Sequence, residues 1–286
     1  MHRRRSPNRI VHWLTVLAVG MALVWTLFPF WWAAAMSVKH PADFFTAKAL
    51  PYLQFQPTLD NWRAEWQWFD DPAGMGRALV NSLLVGTAAS LFSLLLGGLA
   101  AYGILLHRRS GRLPWRFLVL LLLPRLLPPV IVAVPFSRMM VFLGLGDTRL
   151  ALVFAHTALT LPWAVLILFS AMADLPVDTL DAAQMDGCSH LTIFHRIVAP
   201  LLLPATIATG ALCFVQSWNE FPFALMNVQQ RVNTAPLAIR ALVNKDGIEF
   251  AFVGSHIVLV ILPPLILALA TRRYIVRGLS LGTLKD

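Results

Sequence analysis

Five stretches of more than twenty residues carry no Asp, Glu, Lys or Arg: Ile10 to Val38, Ala78 to His107, Leu150 to Ala173, Ile197 to Asn219 and Phe250 to Thr271. Roughly 20 apolar residues cross the hydrocarbon of a bilayer, and a charge at its centre is costly, so each stretch predicts a membrane-spanning helix. A sixth, Phe117 to Ser137, is equally apolar but is interrupted by Arg125, which brings the predicted spans to six. Composition agrees: 58% of the 286 residues are hydrophobic and only 13% are charged, which excludes most soluble folds.

The first run follows Arg3, Arg4 and Arg5 and contains Ala33-Ala34-Ala35, an imitation of a secretory signal with its cleavage site. A signal has an apolar region of roughly 7–15 residues, and this run is far longer, so it is expected to be the first helix. An even number of spans puts both termini on one side, and loop charge chooses the side. With cytoplasmic termini, segments 1–9, 108–116, 174–196 and 272–286 lie inside and hold 13 Lys and Arg in 56 residues. Segments 39–77, 138–149 and 220–249 then lie outside and hold 9 in 81. The net charge of +9 is accounted for by this bias, and no nucleic-acid partner is expected. Cys188 and Cys213 are too few for a disulfide framework or a four-ligand zinc site, so no metal site is expected.

Within the second span Gly86, Ala88, Ala89, Ser90, Ser93, Gly97, Gly98, Ala100 and Ala101 allow close approach of neighbouring helices. The third carries Pro124, Pro128, Pro129 and Pro135, and the sixth Pro263 and Pro264, so both are expected to be kinked or partly unwound. Between spans four and five, Pro176 can open a short helix with Asp178 and Asp181 near the favourable end of its dipole. Gly187 can end that helix in the left-handed conformation, and Ser189 can cap a second one running into span five at Pro200. The apolar residues Ala182, Ala183, Met185, Ile193 and Phe194 are expected to face inward.

Asp181-Ala182-Ala183, Asp186-Gly187, then Phe194, Ile197, Pro200 and Pro204 resemble the EAA loop of ABC importer permeases, E-A-A-x-x-D-G-A followed by an F, I and L-P framework. Further elements resemble the carbohydrate branch, the smaller permease of the maltose-transporter type: Asn81-Ser82, Ala101-Tyr102, Gly144-Leu145, Ser217-Trp218-Asn219-Glu220-Phe221 and Arg273-Tyr274-Ile275-Val276-Arg277-Gly278-Leu279. The likeness runs from about Thr26 onward. Two positions depart from the pattern, Asp181 in place of Glu and Cys188 in place of Ala.

The resemblance implies an all-α membrane protein, a single permease domain over residues 1–286 with six transmembrane helices and cytoplasmic coupling helices, the type I ABC importer fold. It implies a bacterial inner-membrane subunit that carries a sugar or sugar derivative inward by alternating access. Its implied partners are a homologous second permease, two copies of an ABC ATPase, an extracytoplasmic solute-binding protein and the lipid bilayer. The coupling residues carried over are Asp181, Ala182, Ala183, Asp186, Gly187 and Phe194, which dock in a groove on the ATPase. ATPase closure would draw two such loops together and rock the spans between inward-open and outward-open. The external segment from Val228 to Phe250 resembles the loop that meets the binding protein.

No catalytic residue is assigned, and no cofactor is expected on this chain. None of its four lysines follows a glycine, so a G-K-[ST] phosphate loop is missing, and ATP with Mg is expected on the partner ATPase. Gly278-Leu279-Ser280-Leu281-Gly282 matches the hydrolase G-x-S-x-G pattern, but no histidine follows it. An ion-coupled secondary transporter is the alternative. It should carry membrane-embedded acids, and none lies within the six spans. Arg125 is a candidate for the translocation pathway, where it could attract an anionic sugar, or else it contacts a carbonyl, a polar group or the sister subunit. Trp218, Asn219 and Glu220 end span five within reach of a cavity, or else Trp218 anchors at the interface and Glu220 is solvated. Trp62, Trp66, Trp68 and Phe69 could stack on sugar, but an interfacial amphipathic segment is the expectation. Oligosaccharide, polyol, glycoside and glycerophosphodiester all remain open as substrates.

Overall fold

The computed structural model describes residues 9–40, 43, 46, 50–67, 69, 74–109, 115–227, 231–239, 243–244, 247–248 and 250–280. Along the chain come α1 (Arg9–Ser37), α2 (Asp60–Gln67), α3 (Met75–Arg109), α4 (Trp115–Leu122), α5 (Pro129–Phe142) and α6 (Arg149–Ala173). Then follow α7 (Val177–Met185), α8 (His190–Ile193), α9 (Ala199–Leu201), α10 (Leu203–Trp218), α11 (Pro222–Asn227), α12 (Ala235–Ala238) and α13 (Phe250–Ser280). The expected all-α fold is interrupted by one small antiparallel hairpin, β1 (Val243–Asn244) with β2 (Gly247–Ile248). Contacts divide the chain into two compact units, residues 1–67 with 242–259, and residues 68–241 with 260–286.

Among the described residues, four helices are long and apolar enough to cross a membrane alone: Arg9–Ser37, Met75–His107, Arg149–Ala173 and Val253–Tyr274. The pair His190–Leu201 and Leu203–Trp218 is apolar enough only when taken together, and the two helices meet at 79°, as in a broken span or a re-entrant segment. The third predicted span is not one helix. α4 gives way to a 3-10 turn over Leu123–Leu126, Leu127 turns extended at ψ 141°, and α5 starts afresh at Pro129. The cause is local: a residue before proline is pushed out of the helical region, and here Leu127 precedes Pro128 and Pro128 precedes Pro129.

In the first unit, the side-chain amide of Asn61 donates to the carbonyls of Ser37 (3.2 Å) and Lys39 (2.9 Å), satisfying oxygens left open at the end of α1. Asn61 and Glu65, four apart on α2, are the buried residues of that helix, while Trp66 is exposed. α2 therefore buries polar residues against its unit and leaves Trp66 outward. Glu65 finds its partner in His256, at 2.7 Å from Oε1 to Nδ1. Trp62 donates its indole N–H to Ser37 Oγ (3.4 Å), and Trp68 lies outside the described residues.

The second unit is organised by α3 and α6, which run parallel in direct contact. Arg149 meets Asn81, Thr160 meets Ser93 and Ala164 meets Gly97, pairs kept at a near-constant separation along both helices. α10 runs the opposite way against both: Phe214 lies on Gly86, Leu94 on Gly210, and the Cys213 thiol faces the Thr160 carbonyl at 3.9 Å. In lipid no hydrophobic force separates helix–helix from helix–lipid contact, so small residues and hydroxyl pairs decide which helices pack. Ser93 Oγ and Thr160 Oγ1 are 2.7 Å apart, fully buried. One turn below, a Cβ on Gly97 would stand 2.8 Å from Ala164 Cβ and 3.2 Å from the Val165 nitrogen, so the helices must part to admit one.

Gly97→Leu should therefore cost about 1–3 kcal/mol by overpacking, read as a lower melting temperature of the solubilised protein. Gly103→Ala, which adds a Cβ into open space on the same helix, is the control and should leave it unchanged or slightly raised.

Candidate functional site

The segment after α6 folds as the motif anticipates. Pro176 stands just before α7, one residue earlier than expected, as its N-cap. The far end of α7 closes in a Schellman turn: the Cys188 N–H donates to the Ala183 carbonyl (3.1 Å) and the Gly187 N–H to that of Gln184 (3.0 Å). Gly187 itself sits at φ +78°, in the left-handed region where a side chain is disfavoured. Ser189 then caps α8, its Oγ accepting from the Thr192 N–H at 3.3 Å.

Between α8 and α10 the chain forms a π-helical turn over Phe194–Val198, in which the Ala199 N–H reaches back to the Phe194 carbonyl. Pro200 and Pro204 lack the N–H groups that would have continued an α-helical ladder, and the π turn and the 79° bend follow. This bend lies where the sequence reading placed an uninterrupted start of span five.

One face of this helix–turn–helix is anchored to the bundle. Leu180, Ala183, Ile193, Val198 and Leu202 are buried in a single cluster with Ala101, Tyr102 and Leu105 of α3 and with Leu168 and Met172 of α6. Phe194 packs on the same cluster, its ring 5.2 Å from that of Tyr102. Burying Leu180 and Ile193, on the loop side of span five, stabilises the attachment by roughly 1.5–3 kcal/mol for each side chain, and Val198 and Leu202 add packing contact. The other face is open. Asp181, Ala182, Met185 and Asp186 are exposed, Met185 at 89% and Leu191 of α8 at 70%. Ala182 and Met185, expected to face inward, point away from the bundle, and Phe194, grouped with the docking residues, faces into it. The motif thus divides into an anchoring set and a presenting set, a division that linear spacing does not show.

Arg125 lies in the break of the third span, half-buried. Its Nη1 donates to the Leu159 carbonyl at 3.0 Å, near the middle of α6, and its guanidinium lies 4.9 Å over the ring of Trp163. Trp218 is buried, stacked on Phe214, and donates its indole N–H to the Val260 carbonyl (3.1 Å). Asn219 is exposed. Glu220 is buried and turns inward to cap α11, its carboxylate accepting from the Phe223 (2.9 Å) and Ala224 (3.2 Å) N–H groups. Its Oε2 is also 3.3 Å from Nε2 of His156, whose Nδ1 lies 2.7 Å from Ser217 Oγ. Sequence reasoning missed His156; its one signal was a histidine in the middle of an otherwise apolar span.

A family model described as "Binding-protein-dependent transport system inner membrane component" matches residues 93–281. The trehalose/maltose transport system permease protein MalG of Thermococcus litoralis is 32% identical over 275 residues, covering 95% of this chain and 96% of that protein. The sulfoquinovosyl glycerol transport system permease protein SmoH of Agrobacterium fabrum is 30% identical over 275 residues, covering 95% and 93%. In fold, the chain matches one from the crystal structure of a bacterial ABC transporter involved in the import of the acidic polysaccharide alginate. The TM-score is 0.72 at 19% identity, over 96% of this chain and 99% of that one. With a family match that spans most of the helical bundle and relatives that align almost end to end, the chain belongs to the binding-protein-dependent inner-membrane permeases of ABC transporters.

Proposed function

We propose that this chain is the membrane-spanning permease subunit of an ATP-driven importer that moves a sugar or sugar derivative into the cytoplasm by alternating access. The observation that carries the reading is the two-faced coupling segment. It is held to α3 and α6 by buried apolar side chains and offers Asp181, Ala182, Met185, Asp186 and Leu191 to a partner. Exposed Met and Leu at a membrane-embedded face need no explanation; on a water-facing loop they mark a docking surface. The substrate class is supported by the relatives, whose names specify trehalose or maltose and sulfoquinovosyl glycerol.

In this reading both termini are cytoplasmic, in the inner membrane of a bacterium, as the loop charges favour. Two copies of an ABC ATPase hold ATP and Mg, a homologous second permease completes the pathway, and a solute-binding protein delivers the sugar from outside. Hydrolytic chemistry belongs to the ATPase; this chain converts closure of the ATPase into tilting of its spans. Arg125 and Asn219 are the pathway residues, one at mid-depth beside the broken third span and the other exposed at the end of α10. Trp218 contributes by tying the end of α10 to α13, and Glu220 by capping α11.

The buried His156–Glu220 pair is the observation that favours an ion-coupled transporter instead. Its carboxylate is already engaged by two backbone N–H groups, which makes it a cap before it is a proton carrier.

Purification of the tagged subunit from its native membrane should bring down an ATPase and a second permease, with hydrolysis stimulated by loaded binding protein. Recovery of the subunit alone, with uptake abolished by a protonophore and indifferent to ATP, would install the ion-coupled reading. Within the intact transporter, stimulated hydrolysis should fall in the order Gly187, Gly187→Asn, Gly187→Ala, Gly187→Val. The cause is the left-handed turn, which costs a residue with a side chain about 1–2 kcal/mol; a flat series would remove the turn from coupling. Arg125→Ala should reduce uptake at least several-fold, and normal uptake by that variant would take Arg125 out of the pathway.

A further inference from the structure

We propose that Asp147 is a positioning residue that fixes the base of the third external loop for docking of the solute-binding protein. The proposal rests on the importer reading above. Asp147 occupies φ +54°, a left-handed backbone that non-glycine residues rarely adopt and that Asp tolerates better than most. A strained residue persists where its surroundings over-determine it, and here they do. Its Oδ2 accepts the Arg231 N–H at 2.9 Å, its Oδ1 accepts the Val232 N–H at 3.2 Å, and its own N–H donates to the Asn227 carbonyl at 3.2 Å. One residue of the α5–α6 turn thereby ties three points of a segment 80 to 85 residues away in sequence.

The next residues of that segment are tied as well. The Asn81 side-chain amide donates to the Asn233 carbonyl at 2.8 Å while its oxygen accepts from Arg149 Nε at 2.8 Å, and Ser82 Oγ accepts the Ala235 N–H at 2.8 Å. Loop backbone is ordinarily left to water. Here charged and polar side chains satisfy the backbone of 231, 232, 233 and 235, and Val232, Thr234, Ala235, Leu237 and Ala238 are buried beneath. Arg231 remains exposed at the rim. Such a base is more than a connection requires, and it suits a loop that must keep its shape while a soluble protein binds it.

The location supports the same conclusion. Asp147 lies just before α6 and Arg149 is its first residue, and Asn81 and Ser82 lie near the start of α3. These are the two helices whose opposite ends carry the coupling segment through Tyr102, Leu105, Leu168 and Met172. A load placed on the loop is therefore delivered to the helix pair that also meets the ATPase-facing segment.

The test uses the assembled transporter in lipid nanodiscs, with the solute-binding protein that co-purifies with it titrated in while ATP hydrolysis is followed. Asp147→Ala removes the carboxylate, Asp147→Gly removes it while relieving the backbone, and Asp147→Asn keeps the left-handed tolerance and one acceptor oxygen. The half-saturating concentration of binding protein should rise about tenfold or more for Ala and Gly and by less for Asn, with the rate at saturation within twofold of the parent. Hydrogen exchange at the Arg231 and Val232 amides should quicken in the same order. An unchanged half-saturating concentration in Asp147→Gly, or a loss confined to the saturating rate, overturns the positioning role. A parent complex that no concentration of binding protein stimulates overturns instead the importer reading on which it rests.

Discussion

The parallel contact of α3 with α6 at Gly97 and Ala164 is the constraint on which the rest of the larger unit depends. Two helices running in the same direction share both ends, so whatever is attached to one end is mechanically continuous with the other. At one end the attachments are polar, Asn81 to Arg149 and Asp147 to the loop backbone; at the other they are apolar, the cluster around Tyr102 and Met172. The difference follows from the solvent. An irregular loop crossing a bundle end must have its backbone N–H and C=O groups satisfied, whereas an amphipathic helix has satisfied its own and needs only its apolar face covered.

Breaks in the other spans obey the same accounting. Backbone groups freed by proline at membrane depth require a partner from within the protein. At the 79° bend the π turn shifts hydrogen bonds by one residue rather than losing them, with Ala199 donating to Phe194. In the third span the interruption places Arg125 beside α6, where it bonds the Leu159 carbonyl and covers the face of Trp163. The guanidinium thereby holds the break to α6.

Much of this was legible in the sequence because it depends on periodicity and on residues with narrow backbone preferences. The absence of charge located α1, α3, α6 and α13, and Gly187 and Ser189 gave the turn and the cap of the coupling segment at the right residues. Prolines announced that the third span would be disturbed, but whether a proline kinks a helix or ends it depends on the neighbouring residue and on what accepts the freed groups, and only tertiary contacts decide that. The same limit applies to orientation within the motif. Ala182 and Ala183 are chemically identical, and one faces water while the other faces α3, according to a helix rotation set by Leu180 and Ile193. Asp147 and His156 went unnoticed for a related reason, since their partners lie more than sixty residues away.

Which part of the coupling segment moves when it is pushed follows from comparing magnitudes. Leu180 and Ile193 hold it to the bundle at roughly 1.5–3 kcal/mol each, with the packing of Val198 and Leu202 in addition. Distorting the Gly187 turn costs at most a few kcal/mol, as any local backbone rearrangement of one residue does. A force applied at Met185 and Asp186 would therefore deform the turn before it detached α7 from α3 and α6, unless the turn were held from both sides. It is so held, by the Schellman bonds from Gly187 and Cys188 on one flank and the Ser189 cap on the other. The segment is thereby packed as one piece with the helix pair, and the backbone leaves the α-helical ladder only beyond it, at the proline-broken bend into α10.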